Sequence, residues 1–313
     1  MKKVLCATVA VAALGIAGAA QAEELWSPHL PGVDIGLAAG ALPPKGVYFI
    51  NNDYVSPNFK VRPNSANSLS ALVDVPILLW APGIKFLGAD YAAAVAQPFD
   101  YTTLGGASSS TQGHLGTYNT VLVPVMLSWA LPYDFHVKPQ FAVYLNDASS
   151  TENRGALASN GNVGAGMANT TFEPGLGLSW LHNGWNASVS MGYDHSTADG
   201  NSALNPSGVN GACATNMTCN YQSGDQFFAD YTLTKEVGKW TLGVGGYQLN
   251  QLNRDQVNGV SQVGTMSLRE AVGPVIGYQF GGINIQSQFT HEFVQHNDVG
   301  GDVLNVRFVV PLY

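Results

Sequence analysis

Four stretches of the 313-residue chain bring together residue types capable of chemistry. His291-Glu292-Phe293-Val294-Gln295-His296 approaches the zinc motif H-E-x-x-H, in which two imidazoles on one helix face meet a single ion. It carries one residue too many, and on a strand His291 and His296 would face opposite sides, so no metal site is expected there. Ser287 and His291 share parity, but at a rise of ~3.3 Å per residue they stand about 13 Å apart on one strand, too far for a hydrolase dyad. Gly243-Val244-Gly245-Gly246 lacks the Lys-Ser/Thr of a phosphate loop, and no helical pattern follows it; glycines that let a wall of strands bend are the better reading. Cys213 and Cys219 lie in a Gly/Asn/Ser-rich segment and are expected to form a local disulfide. The chain is therefore expected to have no catalytic residue, no metal and no cofactor, and not to be an enzyme.

The elements that position these residues must satisfy an unusual composition. Only 11% of the residues are charged while 46% are apolar, against roughly 25% charged in an ordinary soluble domain. Disorder would require low hydrophobicity with high charge. A net charge of −8 argues against nucleic acid as a partner, because phosphate recognition needs clustered Lys and Arg. Lys2 and Lys3, the apolar stretch from Val4 to Ala17 and Ala20-Gln21-Ala22 read as a secretory signal over 1–22, cleaved after Ala22. Beyond it no run of about 18 apolar residues occurs, so membrane-spanning helices are not expected.

Period-2 alternation is the dominant pattern. Phe135, Val137, Pro139, Phe141, Val143 and Leu145 share one face of a strand, and His136, Lys138, Gln140, Ala142 and Tyr144 share the other. Ile283, Ile285, Phe289 and Phe293 likewise oppose Asn284, Gln286, Gln288, Thr290 and Glu292. Such segments run to about ten residues, the length that a tilted strand needs to cross a bilayer. Twelve are expected, near 47–55, 69–80, 84–97, 118–129, 134–146, 169–181, 184–194, 224–236, 239–250, 266–280, 282–293 and 303–313.

Short turns near 81–83, 130–133, 182–183, 237–238 and 281 alternate strictly with long connections near 56–68, 98–117, 147–168, 195–223, 251–265 and 294–302. This is the plan of an all-β, transmembrane, up-and-down antiparallel β-barrel with both termini in the periplasm and long loops outside the cell. Trp80, Trp129, Tyr133, Trp180, Trp185 and Trp240 all fall beside the short turns, where an interfacial girdle places them. The chain is thus read as a signal over 1–22, an N-terminal periplasmic or plug segment over 23–46 with Pro28, Pro31, Pro43 and Pro44, and a barrel over 47–313. It is expected in the outer membrane of a Gram-negative bacterium, with lipid, lipopolysaccharide and the barrel-assembly machinery as partners.

By parity the inward row carries Lys138, Arg269 and Arg307 together with Glu173, Asp194, Asp230 and Glu292, joined by His136, Tyr144, Gln286 and Gln288. Mixed charge on an inner row has two readings. It either fills the interior with paired groups, since buried charges are costly unless paired, or it lines a path for a solute.

Several short strings, in their order and spacing, resemble one family of outer-membrane transporters, the MetA-pathway of phenol degradation family. They are His29-Leu30-Pro31-Gly32, Gly224-Asp225-Gln226-Phe227-Phe228-Ala229-Asp230-Tyr231, Gly245-Gly246-Tyr247-Gln248, Gly273-Pro274, His291-Glu292-Phe293, Gly301-Asp302 and Pro311-Leu312. The resemblance implies an outer-membrane channel for small hydrophobic or aromatic compounds, which enter passively through the lumen. The alternative is a structural or adhesive barrel with a sealed interior that acts through its loops.

Overall fold

The computed structural model describes residues 27–60, 68–105, 114–148, 166–167, 169–198 and 220–313. The signal segment, Cys213 and Cys219 lie outside the described residues. Twelve antiparallel strands close into one barrel. They are β1 (Gly46–Lys60), β2 (Ser68–Ala81), β3 (Ala89–Ala96 and Phe99–Gly105), β4 (His114–Thr117 and Val121–Ala130), β5 (Phe135–Tyr144) and β6 (Thr171–His182). The second half holds β7 (Trp185–Ser196), β8 (Gln226–Val237), β9 (Trp240–Gln251), β10 (Leu268–Phe280), β11 (Ile283–His296) and β12 (Asp302–Pro311). Each strand pairs with the next in sequence, and β12 returns to β1 with Arg307 opposite Asn52.

The wall is inside-out relative to a soluble protein. Outward residues such as Leu72, Leu78, Leu233, Val244, Val272, Ile276, Phe289 and Phe293 are exposed. Many of the buried inward residues are polar, and Arg269 and Arg307 are the largest of them, with 0% and 2% exposure. A bilayer explains the inversion, because Lys or Arg on the lipid face of a barrel costs about 2–4 kcal/mol at mid-depth. Trp80, Tyr133, Trp185 and Trp240 stand exposed at the short-turn end, where Lys235 lies 5.2 Å over the Trp185 ring. At that same end Val47 N–H donates to Tyr313 O at 3.0 Å, so the barrel begins and finishes on one rim.

Two strands differ from the sequence expectation near 84–97 and 118–129. After Ala81 the chain forms a small hairpin, Lys85–Phe86 against Ala89–Asp90, so β3 starts later. β3 then continues past Gln97-Pro98: its first half pairs with Ile77–Trp80 of β2 and its second half with Ser68–Asp74. Pro98 has no N–H to donate, and it interrupts the ladder without ending the strand. β4 is interrupted at the facing position, where Tyr118 N–H donates to Pro98 O at 2.9 Å. The turn between β6 and β7 is Asn183-Gly184, both at positive φ (49° and 75°), the signature of a tight type I′ hairpin.

Candidate functional site

Residues 27–45 do not join the sheet. Four prolines at 28, 31, 43 and 44 deny the segment a helix or a ladder. It folds instead as successive tight turns, with Val33 N–H donating to Leu30 O (3.0 Å), Ile35 N–H to Gly32 O (3.2 Å) and Leu37 N–H to Asp34 O (3.1 Å). Turns leave backbone groups unpaired, and buried backbone groups need partners. The inward row of the barrel supplies them. Asp230 on β8 accepts from Gly32 N–H (3.1 Å) and Asp34 N–H (2.9 Å), Thr232 from Gly36 N–H (2.7 Å), and Ser179 on β6 from Gly40 N–H (2.7 Å). Ser128 on β4 donates to Gly40 O (2.8 Å), Asn186 on β7 to Leu37 O (3.2 Å), and Gln286 and Gln288 on β11 to Gly36 O and Gly32 O. The contacts come from β4, β6, β7, β8 and β11, on opposite parts of a closed barrel, so the segment lies in the lumen.

Arg307 on β12 is the centre of this seat. Its guanidinium donates to Ile35 O (3.0 Å) and Val33 O on the segment, and to Gln286 Oε1 (2.9 Å) and Asn52 Oδ1 (2.7 Å) on the wall. A planar fork with five donors can serve carbonyls on two sides at once, which a lysine cannot. Where the segment presses closest, the wall carries glycine: a Cβ at Gly177 would stand 1.9 Å from Ala39 O, and one at Gly245 would stand 2.2 Å from the Ile35 side chain.

His29 is the segment's buried imidazole. Its ring stacks on Phe228 (centroids 3.6 Å apart, 7° between planes), with Nδ1 3.4 Å from Glu173 Oε2 and Nε2 3.7 Å from Asp230 Oδ2. Burial pushes the imidazole down, but Glu173, Asp230 and Asp34 more than reverse this and hold it well above the usual histidine range. Tyr144 O–H donates to Glu173 Oε2 at 2.7 Å, and Asp194 lies beside Glu173. Nearer the long loops, Arg269 meets Glu292 through Nη2 (2.6 Å) and Nε (2.7 Å). Glu292 also accepts from the Tyr247 hydroxyl and from Gly301 N–H (2.7 Å), tying β9, β10 and β11 to the loop before β12.

Of the residues singled out by parity, Asp230, Gln286, Gln288 and Arg307 contact the segment's backbone, and Glu173 meets it through His29. Asp194 and Tyr144 flank that histidine, while Lys138 is half-buried and acts on Asp34 through its charge. His136 faces the segment through its backbone carbonyl, close to Gly40. Arg269 and Glu292 form a separate ion pair. Sequence reasoning missed His29 and Asp34. The usable signal was two titratable side chains in a stretch, 28–44, otherwise built of Pro, Gly and apolar residues.

Between the segment and the β1–β5 wall remains a cavity of about 170 Å³. Its wall side is mainly apolar, with Ile50, Val75, Ile77, Ala94, Val121 and Val123 beside the polar Asn52, Gln140 and Tyr144, and its segment side carries His29 and Asp34, with Arg307 at the edge. A larger hollow of about 870 Å³ crosses β5–β11 and is lined mainly by outward apolar residues such as Leu178, Leu233, Val244 and Val272. His291 stands on the outer surface paired with Asp302 (2.6 Å), while its neighbour Glu292 points inward, so the His-Glu string is divided across the wall.

A family model described as MetA-pathway of phenol degradation matches residues 50–308. Among solved structures, an outer membrane channel from Pseudomonas putida F1 superimposes with a TM-score of 0.70 at 13% identity, covering 87% of this chain and 97% of that one. The translocator domain of the autotransporter NalP from Neisseria meningitidis gives a TM-score of 0.52 at 14% identity, with 87% and 91% covered. At such identities the likeness is one of fold, the outer-membrane β-barrel. No curated protein matches the sequence.

Proposed function

Because this chain belongs to the MetA-pathway of phenol degradation family, we propose that it is an outer-membrane channel through which small hydrophobic or aromatic compounds pass by way of the lumen. The observation that carries this reading is the cavity beside the N-terminal segment. Its 170 Å³ is comparable with the roughly 150 Å³ apolar cavity known to admit benzene in another protein. Its apolar wall with a few convergent polar groups is the usual make-up of a small-molecule site. In this reading the short turns and both termini face the periplasm, the long loops face outward, and cleavage near Ala22 leaves the lumen segment close to the new N-terminus. Lipopolysaccharide and lipid surround the outward apolar band, and the assembly machinery inserts it.

Liposome swelling with phenol, benzoate, a fatty acid and a sugar tests the proposal. Phenol and benzoate should enter faster than the sugar, and deletion of 27–45 should raise all rates and remove the preference. Permeation ordered by size alone would make the protein a general diffusion pore. The hydrogen-bonded fit of the segment favours a second reading, a sealed structural barrel, and absence of swelling in both forms would select it.

A further inference from the structure

We propose that His29, Asp34 and Asp230 form a divalent-metal site that latches the N-terminal segment to the barrel wall. One ligand atom from each lies within 4.8 Å of the others. The 3.7 Å between His29 Nε2 and Asp230 Oδ2 is too long for a hydrogen bond and close to the ~3.4 Å edge of a tetrahedron with 2.1 Å bonds. Nε2 is buried and makes no hydrogen bond.

The surroundings are those of a held ligand set. The imidazole is fixed by its stack on Phe228, and its other nitrogen faces Glu173, itself held by the Tyr144 hydroxyl. A carboxylate on the second ring nitrogen is the arrangement that orients metal-binding histidines. Asp230 accepts from two backbone N–H groups, and Asp34 Oδ2 accepts from the Ser190 hydroxyl (2.7 Å), so both carboxylates are aimed. Asp34, Glu173, Asp194 and Asp230 crowd around one imidazole. The described bonds of the Arg307 guanidinium go to carbonyl and amide oxygens, not to these carboxylates. One imidazole with two carboxylates suits Zn²⁺, Co²⁺ or Mn²⁺ better than Ca²⁺, which prefers an all-oxygen shell. His29 and Asp34 also line the 170 Å³ cavity, which gives the ion a way in. The sequence expectation of no metal weighed the His291–His296 string and the Cys213 and Cys219 pair, whereas these ligands come from opposite ends of a long stretch of chain.

The test is Co²⁺ titration of the full-length folded protein, read by its visible d–d absorption, with Zn²⁺ competition. Wild type should bind one equivalent, and His29→Gln and Asp34→Asn should each weaken binding at least ten-fold. His195→Gln and His291→Gln, which remove exposed His–Asp pairs, should leave it unchanged. Zn²⁺ should also slow proteolysis of the segment in wild type but not in either lumen variant. Equal Co²⁺ binding by His29→Gln, loss of binding only in the surface variants, or no binding at millimolar Co²⁺ would overturn the proposal.

Discussion

Replacing Arg307 by alanine should free the N-terminal segment. Two of its four described hydrogen bonds end on the segment, at Ile35 O and Val33 O. A hydrogen bond from a charged donor contributes about 1.5–3 kcal/mol, so the pair contributes roughly 3–6 kcal/mol at most. Water entering the space left by the guanidinium restores part of this, since a bridging water is nearly as good as a direct bond. Taking half leaves about 1.5–3 kcal/mol, or roughly 10- to 150-fold in the ratio of released to seated segment at 1.4 kcal/mol per decade. The bonds to Asp230, Thr232, Ser179 and Ser128 remain, so the segment should visit the released state rather than abandon the lumen. Single-channel recording in planar bilayers reads the ratio directly, as the fraction of time at the conductance of the 27–45 deletion. Arg307→Lys keeps the charge but not the fork, and should fall between wild type and alanine. If the deletion conducts more than wild type while Arg307→Ala does not, Arg307 does not hold the segment.

Gly177→Val should act in the same direction by a different cause, because its Cβ would meet Ala39 O at 1.9 Å; limited proteolysis should cut the segment faster, and an unchanged rate would mean that it does not pass there. Asp298 gives a pH dependence near the outer loops. Burial lifts its carboxyl to about 7, with Arg269 opposing and Glu292 adding to the shift. A carboxyl raised above its unfolded value favours the protonated folded form, so this group's contribution to stability grows as pH falls from about 7 towards 4 and is lost as pH rises through 7. Hydrogen exchange of residues 297–301 should therefore slow more between pH 8 and pH 5 than intrinsic exchange predicts. Asp298→Asn should remove that excess.

The barrel was legible because lipid imposes a rule on every strand. The Phe135–Val143 row and the Ile283–Phe293 row had to be apolar on one side whatever lay inside. The ends of strands were less legible for the same reason. Gly46–Lys60 and Ile283–His296 run to 15 and 14 residues, more than the bilayer requires. Outside the lipid the ladder continues with polar residues on both faces, and alternation no longer marks it. The interruption of β3 at Pro98 read as an ending because a proline removes one ladder bond, yet β2 is long enough to pair on both sides of it.

Parity gives the side of a strand and never the partner. It placed Asp230, Gln286 and Arg307 inward but could not say that they would meet Gly32, Gly36 and Ile35, because nothing periodic links a strand to a coil 200 residues away. Their meeting bears on the two readings of the mixed inner row. The wall's described hydrogen bonds to residues 30–40 come from β4, β6–β8, β11 and β12, where they complete the segment's turns. The side facing β1–β5 is where space remains, and there the inward row turns apolar at Val75, Ile77, Val121 and Val123. A solute that keeps the segment seated must therefore travel along that apolar side, past one edge of Arg307. A sugar would lose most of its water there with only a few polar wall groups, such as Asn52 and Gln140, to replace it, at a cost of roughly 1–3 kcal/mol for each hydroxyl left unpaired. A phenol would lose little beyond one hydroxyl's hydration. Val123→Ser and Ile77→Thr, which add acceptors to that wall without adding bulk, should narrow the difference between phenol and sugar in liposome swelling. An unaltered ratio would place the path elsewhere.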